Sequence, residues 1–201
     1  MPMPPLRPRH WLLFVLVAAA FFSLALWMQR GGESGTPLAW VSAWQQPLLE
    51  PMAEGELTLG ALNRESPGEL WLQPGSDGPR LLFRSTGDGA DACNLEAELA
   101  LDAGERESLL KALGTDAGQG DQPLSPQMLE QLAGHRLAAL ELRPQQPPAA
   151  SRLAASIGQP RLRLQLGEGE AWVYPAEGLT AHVLDEQVHQ VRVVPRSTLR
   201  H

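Results

Sequence analysis

The stretch "LTAHVLDEQVHQVRVV", Leu179 to Val194, reads as a β-hairpin, and its register shows what kind of sheet the chain builds. A three-residue turn at Asp185-Glu186-Gln187 pairs Val183 with His189, Ala181 with Val191 and Leu179 with Val193. That register gathers one continuous apolar face, and the other face pairs Thr180 with Arg192 and His182 with Gln190. A two-residue turn would pair His182 with His189, but it would set Leu179 opposite Arg192. Side chains alternate with period two, so the hydrophobic pattern fixes the register and the first arrangement is expected. It places the two histidines on opposite faces. His182 and His189, with Asp185 and Glu186 beside them, are the residues that most invite a metal site. The register separates them, so no metal and no cofactor is expected.

The same alternation runs upstream. "PRLRLQL" alternates Leu162, Leu164 and Leu166 with Arg161, Arg163 and Gln165. "GEG" turns the chain, "EAWVY" returns it, and "PAEG" turns it again. Earlier, "ELTLGAL", "GELWLQPG" and "PRLLFRS" read as a three-stranded meander. "CNLEAELAL" follows as a strand with one wet face, because Asn94, Glu96 and Glu98 alternate with Leu95, Ala97 and Leu99. The period then lengthens. "GERESLLKALG" sets Leu109, Leu110 and Leu113 on one side of a short helix stopped by Gly114. Ser125 is a good helix cap with Pro126 behind it, and Met128, Leu129, Leu132 and Ala133 form the stripe. "RLAALELRP" is another strand, with Leu137, Leu140 and Leu142 for the core, and "AASRLAASIG" is a short helix ended by Gly158. The expected class is α+β, a mainly antiparallel β domain with two or three short helices behind one N-terminal transmembrane helix.

That last element is Trp11 to Met28, 18 residues without a charge. As a helix it is roughly 27 Å long, close to the hydrocarbon thickness of a bilayer. Trp11 and Trp27 bound it, and Leu12, Phe14, Phe21, Phe22 and Leu26 supply its bulk. Arg7, Arg9 and His10 precede it, whereas Arg30 is soon followed by Glu33, so the N-terminus is expected in the cytoplasm. A cleaved signal peptide is the rival reading, with Ala18-Ala19-Ala20 as its site. Cleavage there would leave Phe21, Phe22, Leu24, Leu26 and Trp27 as an apolar new N-terminus, so an anchor is favoured. The organisation is then a cytoplasmic tail over 1–10, the membrane helix over 11–28, a juxtamembrane tether over 29–55 and a periplasmic domain over 56–201. Fifteen of the sixteen basic residues are Arg, and the richness in Ala, Gly, Leu and Pro suits a GC-rich bacterial genome. The membrane is therefore expected to be a bacterial inner membrane.

Charge excludes one class of partner. Residues 31–135 hold 17 acids against 5 basic residues, while residues 136–201 hold 6 acids against 8 arginines. So acidic a body repels phosphate backbones, and no nucleic-acid partner is expected. Chemistry is not signalled either. Cys93 is the single cysteine, so no internal disulfide forms, and its acidic neighbours Asp88, Asp91 and Glu96 disfavour a reactive thiolate. There is no Gly-x-Ser-x-Gly or Ser-x-x-Lys, and "GQG" and "GEG" lack the rest of a phosphate-binding fingerprint. An enzyme is not expected.

What remains is surface chemistry. Trp40 and Trp44 stand one helical turn apart, where they either pack on the body or meet a partner, and Pro47 and Pro51 are expected to keep their helix short. Trp172 and Tyr174, beside Arg161 and Arg163 on the neighbouring strand, make an aromatic and arginine patch of the kind enriched at interfaces. The competing arrangement packs Trp172 on Leu164 in the core. The expected function is a protein-interaction domain on a single-pass inner-membrane protein, a subunit or assembly factor of a cell-envelope complex with other envelope proteins as partners. The alternative is a periplasmic ligand-binding or sensing module, or a cryptic envelope hydrolase.

Overall fold

The computed structural model describes residues 35–75, 78–89, 92–113 and 120–200, with Val17, Ala18 and Phe21 of the N-terminal segment in helical conformation. Apart from those three, the expected spanning helix lies outside the described residues, and so do the anchor positions Trp11, Leu12, Phe14, Phe22, Leu26 and Trp27. Among the described residues no helix is long and apolar enough to cross a membrane.

The body is α+β, built on one antiparallel sheet. Its strands are β1 (Glu69–Gln73), β2 (Arg80–Thr86), β3 (Cys93–Leu99), β4 (Gln122–Pro123), β5 (Leu137–Pro144), β6 (Leu162–Leu166), β7 (Gly169–Tyr174), β8 (Leu179–Leu184) and β9 (Gln187–Val193). They lie in the order β4-β1-β2-β3-β5-β9-β8-β7-β6. One meander, β1 to β3, thus meets a second, β6 to β9, through the central strand β5. One face carries the core. Across it run Leu70, Phe83, Ala97, Leu140, Val193, Leu179 and Tyr174, each paired in register with the next and each buried. The helices α1 (Ala39–Trp44), α2 (Glu50–Glu54), α3 (Leu59–Glu65) and α6 (Ala150–Ile157) contribute Val41, Met52, Leu62 and Leu153 to the same cluster. Two further helices are α4 (Ala103–Leu113) and α5 (Pro126–Gln131), and α5 starts at the Ser125 cap, whose Oγ accepts from the Met128 N–H at 3.4 Å.

The segment before residue 56 is not a tether along its whole length. Leu38, Leu48 and Met52 are fully buried, so the packed body begins at Leu38. Pro47 and Pro51 do not shorten the helical run as expected. The chain passes from α1 through a π-helical turn, Gln45–Leu49, into α2, where Pro51 sits in the first turn and needs no N–H donor.

"ELTLGAL" is also corrected. It is not a strand of the meander, whose third member is "CNLEAEL" instead. Thr58 makes one isolated bridge to Arg136, and its hydroxyl then accepts from the Ala61 N–H at 3.3 Å, capping α3. Leu59 and Leu62, three apart, bury together on one helical face. The apparent alternation of Leu57 and Leu59 was the approach to a helix cap.

The decisive hairpin keeps the expected apolar register but reaches it differently. Leu179 pairs with Val193, Ala181 with Val191, Thr180 with Arg192 and His182 with Gln190. The turn is nonetheless two residues, Asp185-Glu186, and Val183 pairs with Val188 rather than His189. A bulge between His182 and Val183 absorbs the extra residue. Both constraints are met at once, a tight turn and an unbroken apolar face. The histidines are therefore not on opposite faces: both are exposed, on the side away from the core.

Two stability tests follow from this packing. Leu140, fully buried at the centre of β5, should cost about 2–5 kcal/mol when cut to alanine, read by chemical denaturation of residues 35–201. Asp185 and Glu186 take φ of 50° and 60°, the left-handed region that L residues avoid. Glu186→Gly should therefore raise stability by about 0.5–1 kcal/mol in the same assay, and a loss would mean that the Glu186 side chain matters more than its backbone.

Candidate docking edge

The two ends of the sheet differ in how they are finished. β4 is two residues long and one of them is Pro123, so that edge offers little to an incoming strand. β6 has five residues, every one exposed, and among the described residues no strand pairs with its outer side.

Register decides which way its side chains point. Gly167, at φ 61°, opens a two-residue turn with Glu168, so Leu166 pairs with Gly169, Leu164 with Ala171 and Leu162 with Val173. Arg163 is set opposite Trp172. Trp172 in turn pairs with the buried Ala181, so it belongs to the core face. The three leucines consequently lie on the other face, with exposures of 49%, 44% and 54%. Burying a leucine fully is worth roughly 1.5–3 kcal/mol, so three such side chains left in water on one strand are a sizeable unused driving force. Elsewhere in the described body, only Met128 and Leu199 are large apolar side chains exposed to a similar degree.

The rest of that face is mostly polar, although Leu82 and Ala139 on it are buried. Across β1 to β3, Arg84 bonds Glu96 at 2.8 Å and Asp121 at 2.7 Å, and lies 5.5 Å from the Trp71 ring. The Arg84 guanidinium holds the Asp121 carboxyl below its ordinary range. Further along, Arg192 approaches Glu141 at 3.9 Å. The exposed apolar strip is thus confined to the β6 end.

The residues singled out in the sequence divide between core and surface. Trp40 is buried and Trp44 half-buried, with ring centroids 6.0 Å apart, so this pair packs on the body. Trp172 and Tyr174 are also buried, at 7% and 3% exposure. Arg163 closes over Trp172 at 4.1 Å, and the indole N–H donates to Glu170 at 2.7 Å. Arg161 is exposed. The aromatic and arginine residues do gather, as a lid of Arg163 on a buried Trp172, but Trp172 does not pack on Leu164, which faces the other way. The sequence pattern shows Leu162, Leu164 and Leu166 as the alternation of a strand, with Leu164 a core contact of Trp172 in the competing arrangement. The signal that places them outward was available: a two-residue "GE" turn puts them on the face of Ala171 and Val173, away from Trp172.

One small cavity, about 190 Å³, opens between the π-helical turn, α6 and the β7–β8 turn. Val41, Leu49 and Leu179 form its apolar wall, and Glu177 and Arg196 its polar side. The Arg196 Nε is buried there without a hydrogen-bond partner. The space is smaller than the roughly 300–1,000 Å³ of most ligand pockets. No family model, no curated protein and no solved structure matches this chain.

Tyr174 supplies a direct check of this end of the core. Burial pushes its hydroxyl up to about 12, with Glu177 adding to the shift and Arg163 opposing it. It is the only tyrosine, so tyrosinate absorbance reports it alone. The folded protein should titrate at about 12, the denatured chain at ~10. The unfolded form ionises first, so stability holds below the lower value and falls as pH rises through this window. A folded midpoint near the denatured one would place the hydroxyl in water.

Proposed function

We propose that this protein is a single-pass inner-membrane protein of a bacterial envelope, whose body stands on the periplasmic side and binds other proteins there. It serves as a subunit or assembly factor of an envelope complex rather than as a catalyst. The uncharged stretch from Trp11 to Met28, with its arginines on the N-terminal side, supports the anchor and its orientation. The observation that carries the binding role is β6, a strand open along its outer side with three exposed leucines on one face. An open edge offers backbone hydrogen bonds, and alternate side chains give selectivity, which is how extended segments are recognised by strand addition. Lining the edge with leucine, where lysine or proline would protect it, supports a surface meant to be covered.

A second reading, a ligand-binding or sensing module, is supported by the cavity at Arg196, whose unpartnered Nε suits an anionic or carbonyl group. Its small volume favours the docking edge. A photo-crosslinking amino acid placed at Leu164 of the full chain, in its membrane, tests the choice. Discrete protein adducts are expected at Leu164 and not at Gln131, an exposed position on α5. Equal labelling at both positions, or no adduct at Leu164, would overturn the docking role.

A further inference from the structure

We infer that the occupant of the β6 edge is a second copy of this chain, paired antiparallel about a two-fold axis through Leu164. This rests on reading β6 as a docking edge and names its partner. The strand is symmetric in character: Leu162-Arg163-Leu164-Gln165-Leu166 reads apolar, polar, apolar, polar, apolar in either direction. Centred on Leu164, the pairing sets Leu162 against the second copy's Leu166, Leu164 against its own counterpart, and Arg163 against Gln165. One register thus builds a continuous leucine ladder and puts no arginine directly opposite another. Shifting the centre to Arg163 would oppose like charges, and shifting it to Gln165 would set Leu162 against Glu168. Arg163 already leans back over Trp172, away from the seam.

Long-range charge points the same way. The acid excess lies in residues 31–135, which include the strands β1 to β4 but also α2, whose Glu50 sits beside the β7–β8 turn, whereas residues 136–201 are slightly basic. In the strand order, β3 is five spacings from β6 and β1 further still. At about 4.8 Å per spacing this exceeds roughly 24 Å, several times the ~8 Å screening length of physiological salt. Joining two copies through β6 therefore keeps Glu69, Glu96 and Glu98 of the first meander far from their counterparts.

The tether fits as well. The chain enters the body alongside α6, where the Arg152 side chain donates to Thr36 O at 2.9 Å and Ser156 Oγ accepts from the Leu38 N–H at 2.7 Å. α6 lies on the core side of the sheet, through Ala150 and Leu153. A two-fold axis normal to the sheet keeps both helical layers, and so both points of entry, on one side. Two chains anchored by the preceding 34 residues in the same bilayer meet that requirement. A five-residue strand pair is much smaller than the roughly 1,600 Å² of a standard stable interface, so the contact is weak between free molecules. Confinement to one membrane supplies the effective concentration it needs.

Cysteine crosslinking of the full chain in native membranes tests the register. Leu164→Cys should crosslink to itself under mild oxidation, in a yield about tenfold or more above the chain that carries only the buried Cys93. Co-expressed Leu162→Cys and Leu166→Cys chains should crosslink to each other, and neither to itself. All three positions are exposed, and circular dichroism of each variant checks that the fold is kept. Self-crosslinking at Arg163→Cys in place of Leu164→Cys would overturn the two-fold at Leu164. If no variant crosslinks while the photo-crosslinker at Leu164 still captures another protein, the second copy is wrong and the docking edge stands. If neither probe yields an adduct, both fall.

Discussion

Leu140, Glu141 and Leu142 of β5 pair with Val193, Arg192 and Val191 of β9, and the body depends on that ladder. β5 follows the first meander in the chain, and β9 is its last strand. Before they meet, the three-stranded and the four-stranded meander each present an apolar face that runs on into β5 and the other half. Once they meet, Ala97, Leu140, Val193 and Leu179 become one continuous row, and α1, α2, α3 and α6 can close a single core over both halves. The ladder also fixes which end of the second meander faces outward. With β9 spent on β5, the strand left at the rim is β6, first of its meander and furthest from the join.

The rim strand inherits its orientation from constraints set elsewhere. The bulge in the β8–β9 hairpin keeps Leu179, Ala181 and Val183 on the core face despite a two-residue turn. That obliges Trp172 and Tyr174, paired with Ala181 and Leu179, to share the face. β6 then has no freedom left: Arg163 lies opposite Trp172, and the leucines point to the uncovered side. Its exposed row is therefore not a local accident of one strand, since turning the leucines inward would expel Trp172 or break two registers.

Much of this was legible in the sequence wherever period and punctuation agreed. "RLAALELRP" and "AASRLAASIG" fold as their patterns indicate, and the helix capped by Ser125 forms, but it ends at Gln131 and leaves Met128 of its stripe exposed. The pairing of Leu179 with Val193 followed from the apolar face alone. The failures share a cause: a local pattern satisfied two structures equally well, and a partner distant in sequence chose between them. "ELTLGAL" alternates like a strand for three residues, yet Thr58 caps a helix there. Pro47 looked like a stop, but a π-helical turn lets the chain run past it while Leu48 and Leu49 stay buried. In β6 the alternation was plain, and the "GE" turn held its sense once Trp172 on the next strand was placed in the core.

The leucine row also explains why the two edges of one sheet are treated so differently. An open strand is a hazard for any protein, and the β4 edge shows the ordinary remedy, two residues and a proline. The same remedy was open to β6, where Pro160 stands just before the strand and goes no further. The strand carries one arginine, and Arg163 is turned onto Trp172, so its charge does little to guard the rim. Trp172 and Arg163 settle each other on one face, and Leu162, Leu164 and Leu166 wait on the other. About half of each of those three side chains stays in water, so that part of their apolar surface adds nothing to the stability of the isolated body. Their placement makes physical sense when the edge is completed by another strand.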